Sequence, residues 1–374
     1  MKSSAMRAVG VVPSKREVRM LDHRVPHVTK PNEVKVRSIE VGICGTDREI
    51  CTFVYGSPPQ GYEYLVLGHE SLGEVVEVGE NVKSLKQGDL VVPSVRRPCP
   101  HDHCRPCRND QQDYCNTGDF VERGIKMVHG FMTEYYVDEE KYLNRVPPML
   151  SEVAVLTEPL TIAEKGLAQV WQVQGRLPWA CTEHGKPPGH GLNAVVLGAG
   201  PIGILGTMAM LARGFKTYVY SRSKAPNPKA ELVESLGAQY ISSLEVSPEE
   251  LAKRVGNIDL VYEAVGGSEV AFDVIRVLGV NGVFVFTGIP APGKVIDIHG
   301  DLTMRNIVLM NQAIIGTVNA DRAAFQNAIS DLGVFLKRWP DQIKSVITGR
   351  YTPDDYHELL VGKNTGIKNV IRFA

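Results

Sequence analysis

Four cysteines fall within seventeen residues: Cys99, Cys104, Cys107 and Cys115, in the run CPHDHCRPCRNDQQDYC. Thiolates are soft donors, and four of them on one short polar loop suit a tetrahedral Zn(Cys)4 site. The competing reading is a set of disulfides. Against it, the N-terminus MKSSAMRAVGVVPSKREVRML shows no apolar leader core, and a C-x2-C pair is too close to bridge comfortably to itself. The first gap holds four residues, not two, and contains His101 and His103. Either histidine could take the place of a thiolate, although their loop position favours solvated side chains.

A second set of donors is dispersed. GICGTD carries Cys44 and Thr46 just past a predicted strand, and GHESLGEVVEVGENV carries His69 and Glu70 in a strand and turn. Glu158, in LTEPLTIAEK, is a further carboxylate, while Glu164 of the same stretch also fits a solvated helix charge. A lone Cys or His more often packs than ligates. A borderline-soft ion, however, accepts Cys, His and carboxylate together and keeps one position open for chemistry.

VVLGAGPIG places Gly198, Gly200 and Gly203 as G-x-G-x-x-G between a buried strand and a helix. The first glycine allows the tight turn, the second lets the backbone approach a pyrophosphate, and the third lets the helix pack on the strand. The following strand ends in Tyr220-Ser221-Arg222-Ser223-Lys224, where an NAD site usually carries an acidic residue for the ribose 2′-hydroxyl. Two cations and two hydroxyls without a carboxylate suit a 2′-phosphate, and Arg222 can stack on adenine. The expected cofactor is NADP, with NAD as a secondary substrate; the competing reading is a solvated basic loop.

The elements that must hold these residues change character along the chain. In the first 150 residues, VKVRSIEVGIC, LVLGHE, GEVVEVG and DLVVPSV read as short strands of a barrel-like unit. Residues 152–174 have few breakers and read as a helix, followed by the Pro- and Gly-rich segment RLPWACTEHGKPPGHG. From Leu192 strands alternate with helices, the pattern of a parallel sheet with right-handed crossovers. The final NVIRFA can return a strand to the first unit. The expected architecture is therefore a domain built from both termini with a sheet inserted between them.

Bulk properties exclude several classes. The chain has 374 residues, 43% hydrophobic and 22% charged, with Lys+Arg 41 against Asp+Glu 42 and a net charge of −1. That length suits two or three domains. Neither a basic excess nor a charged tail points to nucleic acid or a membrane surface. The stretch LNAVVLGAGPIGILGTMAMLA is apolar enough to suggest a membrane span, but its glycine spacing is better explained by a dinucleotide turn. A cytoplasmic location is the default expectation.

GHE-x2-G-x5-G-x2-V, from Gly68 to Val82, resembles the zinc signature of medium-chain alcohol dehydrogenases, as do GICGTD, QGDLVVP, the four-cysteine run and GAGPIG. Within that superfamily CGTDREI, CNTGDFVERGIKMVHGFMTEYYVDEEKYLNRVP, the EPL-x4-EK helix and IIGTVNA resemble the glucose dehydrogenase branch. The resemblance implies an α/β and β fold: a GroES-like catalytic domain with an inserted Rossmann doubly wound parallel-sheet domain. The expected boundaries are 1–190 with 318–374 for the former, its cysteine lobe at about 96–118, and 191–317 for the latter.

The same resemblance implies an aldose oxidised at C1 to its lactone, or otherwise oxidation of a related polyol or secondary alcohol, with zinc and NAD(P). Cys44, His69, Glu70 and Glu158 become the catalytic-zinc environment and Thr46 a proton relay, while Cys99, Cys104, Cys107 and Cys115 become a structural zinc lobe. Sugar contacts fall to Thr46, Glu122, Glu158 and Asn319. Cofactor contacts fall to Gly198, Gly200, Pro201, Ile202, Gly203, Ser221, Arg222, Lys224, Val265, Gly288, Thr317, Val318 and Asn319. A homodimer or homotetramer is expected. Val95, Ile162 and Leu309 depart from the branch, which places polar sugar-contacting groups there; losing such groups relaxes or changes sugar recognition. The alternatives are a non-catalytic dinucleotide-binding protein and a zinc-free, quinone-reductase-like member of the superfamily. The intact donor set and cysteine lobe argue against both.

Overall fold

The structure is a computed structural model and describes residues 5–178, 185–290, 293, 295–363 and 365–374. It divides into two compact units: Met1–Thr161 with Asn319–Leu336 and Ile343–Ala374, and Ile162–Val318 with Lys337–Gln342.

The first unit is built on the long strand Glu33–Gly42, whose Val34, Val36, Ser38 and Glu40 alternate into the interior. It pairs antiparallel with Glu70–Val78 and, on its other side, with Tyr135–Glu139 and the C-terminal Lys368–Arg372. Leu90–Pro93, Leu143–Val146 and Ile347–Tyr351 complete a seven-stranded sheet. Register shifts at Lys35/Val36 and Ser38/Glu40 mark bulges that bend the central strand. The NVIRFA strand thus returns to the first unit as expected. LVLGHE is not one strand: it pairs only at Leu65–Val66 before Gly68, at φ +88°, turns the chain and Glu70 opens the next strand.

The second unit carries six parallel strands in the order Gln239–Ser242, Lys216–Ser221, Asn193–Leu197, Leu260–Glu263, Val283–Phe286 and Ala313–Gly316. In chain sequence this is the 3-2-1-4-5-6 order of a doubly wound dinucleotide-binding sheet. Its strands are apolar on both faces, as parallel strands covered by helices must be. Among the described residues no helix is long and apolar enough to cross a membrane. The apolar 192–212 stretch is split between a central strand and helix Pro201–Ala212.

The compact units part at Thr161/Ile162 and at Val318/Asn319, set beside the expected domain boundaries of 190/191 and 317/318. Helix Thr157–Gln174 runs through the first of these points. Its later turns pack within the second unit: Arg213 donates to Glu164 at 2.6 Å, and Trp171 stacks on Phe215 at 5.6 Å. Residues 179–184 of the Pro- and Gly-rich segment lie outside the described residues.

Candidate active site and metal centres

Cys44 follows strand Glu33–Gly42 and caps the short helix Gly45–Ile50. Pairing of Gly42 with Glu70 brings His69 and Glu70 beside it. The thiol, imidazole and carboxylate donor atoms of Cys44, His69 and Glu70 all lie within 4.8 Å of one another. Gly42 makes this possible, since a Cβ there would sit 2.1 Å from Glu70 Oε2. Thr46 lies on the first turn of the same short helix.

Two buried residues outside the predicted set organise the cluster. Asp47 accepts from the backbone N–H of Cys44 at 2.9 Å and of Gly68 at 3.2 Å, and its Oδ1 lies 3.4 Å from His69 Nδ1. Its position was legible, three residues after Cys44 at the start of a helix. Lys368 donates to both oxygens of Glu70, at 2.8 and 2.5 Å, and to the Ile43 carbonyl at 3.0 Å. No local motif marks it.

Glu158 stands outside the three-donor group but within its field. Burial pushes its carboxyl up to about 7; Glu70 and Asp47 add to the rise, while His69 and Lys368 oppose it. Burial would lower His69, yet Asp47 and Cys44 outweigh it and hold the imidazole well above its usual value. A sulfur, nitrogen and oxygen donor set in which the ring itself is drawn toward a positive charge fits a divalent cation, zinc in particular.

Cys99, Cys104, Cys107 and Cys115 converge as the second group, again with donor atoms within 4.8 Å of one another, and all four are free thiols. Cys104 and Cys115 sulfurs lie 3.9 Å apart. Tetrahedral Zn–S bonds of about 2.3 Å put sulfurs about 3.8 Å apart, which this pair matches, and Cys99 joins the group across the wider first gap. His101 instead reaches Asp119 at 2.5 Å, and neither it nor His103 joins the cluster. Burial pushes Cys107 up to about 12. Burial also works against the Cys115 thiolate, but the Thr117 hydroxyl and the nearby backbone N–H groups hold it down at about 6.

In the second unit the glycines answer the sequence pattern. Gly198 adopts φ +100°, and a Cβ on Gly203 would sit 2.1 Å from the Gly198 carbonyl. Around Gly200 there is nothing within 4 Å of such a Cβ, which leaves room for a pyrophosphate before Pro201 and Ile202 open the helix. The adjoining cavity, about 770 Å³, is lined by Gly198, Gly200, Ser221, Arg222, Ser223, Val265 and others. Lys229 and Ser243 also line it, whereas the expected Lys224 does not and pairs with Glu245 at 3.5 Å. Buried Glu263, another residue the motifs did not mark, accepts from the N–H of Val265 and Gly266 at 2.7 Å and of Gly288 at 3.0 Å. Thr317 Oγ1 is buried without a partner among the described residues, and Val318 accepts from Lys165 at 2.8 Å. The open glycine turn and the unpaired hydroxyl fit a dinucleotide.

Of the expected sugar contacts, Asn319 donates to Glu122 Oε1 at 2.7 Å within the first unit. Val95 is buried there; in the second unit Ile162 is half-buried and Leu309 is exposed.

Residues 30–148 match the family model of the alcohol dehydrogenase GroES-like domain, and 151–373 match that of the glucose dehydrogenase C-terminus. A glucose 1-dehydrogenase of Caldivirga maquilingensis is 40% identical over 98% of this chain and 98% of its own length. One of Methanocella arvoryzae is 36% identical over 99% and 100%. The structure of Haloferax mediterranei glucose dehydrogenase in complex with NADP, Zn and gluconolactone superposes with a TM-score of 0.85, at 30% identity and 99% coverage of both chains. The fold and site define a GroES-like dehydrogenase with an inserted parallel-sheet unit. Within that class, the chain belongs to the glucose 1-dehydrogenase family of oxidoreductases. The non-catalytic and zinc-free, quinone-reductase-like alternatives are not favoured by these relatives.

Proposed function

We propose that the chain oxidises an aldose at C1 to its lactone with zinc and NADP. The observation that carries this reading is the convergence of Cys44, His69 and Glu70 in a buried, anionic setting. Cys44, His69, Glu70 and Glu158 would hold the catalytic zinc environment, and Cys99, Cys104, Cys107 and Cys115 the lobe zinc. Zinc in the first site would supply Lewis acidity that makes the C1 hydroxyl easier to deprotonate. NADP would supply the acceptor for the C1 hydride. Overall, the aldose loses one proton and one hydride, yielding lactone, NADPH and a proton.

The chain's own residues do the rest. Thr46 relays the hydroxyl proton, Asp47 orients the His69 ring, and Lys368 fixes the Glu70 carboxylate. Glu122, Glu158 and Asn319 hydrogen-bond the sugar. Gly198, Gly200, Pro201, Ile202 and Gly203 cradle the pyrophosphate, with Ser221, Arg222 and Lys229 around the 2′-phosphate. Val265, Gly288, Thr317, Val318 and Asn319 approach the nicotinamide half. Apolar Val95 and Ile162 support a sugar range wider than glucose.

Exposed Leu302, Met304, Val308 and Leu309 on helix Gly300–Leu309, beside edge strand Ala313–Gly316, support a homodimer or homotetramer. Thiolate clusters suit a reducing compartment, and so the cytoplasm. The test is a screen of aldoses, polyols and secondary alcohols followed by NADPH absorbance. Lactone formation from at least one aldose is expected; turnover of none would refute the reading.

A further inference from the structure

Arg96 lies in the first unit between the cysteine lobe and the expected sugar contacts, and no motif accounts for it. It pairs across the ladder with Glu122, and both side chains are nearly buried, at 7% and 6% exposure. Its Nε donates to Glu122 Oε1 at 3.0 Å. A second guanidinium nitrogen donates to the Asp113 carbonyl at 3.0 Å. The guanidinium plane lies 3.7 Å from the Phe120 ring centroid, and the Arg96 carbonyl accepts from Gln112 at 3.5 Å.

Asp113 and Gln112 belong to the lobe and Phe120 lies just past it; Asp113 and Phe120 meet the guanidinium itself, and Gln112 the backbone beside it. Gln112–Tyr114 is the single turn that leads into Cys115, whose N–H donates to the Gln112 carbonyl at 3.1 Å. The remaining contact is Glu122, whose Oε1 also accepts from Asn319 at 2.7 Å. Both protein donors therefore converge on Oε1. Among the described residues, Oε2 takes no hydrogen bond and is the oxygen left for a ligand hydroxyl. The next residue, Arg97, turns to the opposite side and pairs with Asp138, so adjacent arginines serve separate faces.

We propose that Arg96 is a positioning residue for sugar binding: the four-cysteine lobe clamps its guanidinium, and Arg96 in turn fixes Glu122 so that Oε2 faces the sugar. A buried guanidinium with several donors in a rigid fork can hold two acceptors at once; a lysine offers a point charge without that geometry. The lobe thereby contributes to substrate affinity without touching substrate. The inference rests on the reading of Glu122 as a sugar contact.

The test uses the full chain with Arg96→Met, Arg96→Lys, Glu122→Gln and the Arg96→Met/Glu122→Gln double variant. Zinc content, thermal melting and NADPH binding establish that each is folded and loaded. Aldose KM and kcat are measured, together with gluconolactone Kd by calorimetry. Glu122→Gln should raise KM and Kd about tenfold or more, the cost of one charge-assisted hydrogen bond. Arg96→Met should raise both by a similar factor with kcat within about threefold of wild type, and Arg96→Lys should fall between. The double variant should bind little worse than Glu122→Gln alone, because both changes act on one contact. If Glu122→Gln raises KM while Arg96→Met leaves it unchanged, or adds its effect in full, the positioning role is refuted. If Glu122→Gln itself leaves KM and Kd unchanged, the sugar-contact reading fails first and takes the inference with it.

Discussion

Lys368 places its ammonium against both carboxylate oxygens of Glu70, with the two side chains 2% and 1% exposed. The pair ties the C-terminal strand to the strand that opens at Glu70, joining positions 298 residues apart. Removing the cation leaves a buried carboxylate unpaired, at a cost of about 3–5 kcal/mol. Lys368→Met should lose stability on that scale in denaturant titration and lose most of its turnover. A variant within about 1 kcal/mol of wild type would show that Glu70 does not depend on Lys368.

Cofactor preference follows from the cations at the second unit's cavity. Arg222 and Lys229 line it, while Lys224 is engaged by Glu245. Wild-type kcat/KM should be higher with NADP than with NAD. Lys229→Ala should lower the NADP-to-NAD ratio by about 10- to 100-fold, the worth of one charged hydrogen bond, and Lys224→Ala should lower it far less. Equal use of the two cofactors by wild type would contradict the assignment.

What could be read from the sequence was chemistry with a local spacing. The four cysteines and Gly198-x-Gly200-x-x-Gly203 lie in single short runs, and the structure brings each together as spaced. Relationships made by folding left no such mark. Lys368 meets Glu70 and Asn319 meets Glu122 only because distant strands and loops converge. The basic character of Ser221–Lys224 was legible, but the pairing of Lys224 with Glu245, twenty-one residues further on, was not. The division between the units was hidden for a similar reason. Helix Thr157–Gln174 has few breakers, so its sequence carries no signal at Thr161, where the packing changes.

Acid sensitivity is built into a ring cluster of the first unit. His129 stacks on Tyr64 at 5.1 Å, lies 4.8 Å from His23, and its Nδ1 accepts from the Val66 N–H at 3.2 Å. Burial, with His23 and Arg123, pulls it down to about 3 from an ordinary 6.5. Between those values the unfolded chain binds a proton that the folded chain refuses, so stability falls as pH drops from about 6.5 toward 3. His129→Gln should lose less stability between pH 7 and pH 5 than wild type does, measured by denaturant midpoints. Identical pH slopes would remove His129 from the cause.

The most direct measurement pairs zinc content with turnover in Cys44→Ala and His69→Ala. Wild type should carry two zinc per chain, one for each donor cluster. Each variant should keep the lobe zinc, bind NADPH as wild type does, lose the other zinc, and fall to less than about a thousandth of wild-type kcat/KM on an aldose. A variant that retains both metals, or more than about a tenth of the activity, would contradict a catalytic zinc held by Cys44 and His69.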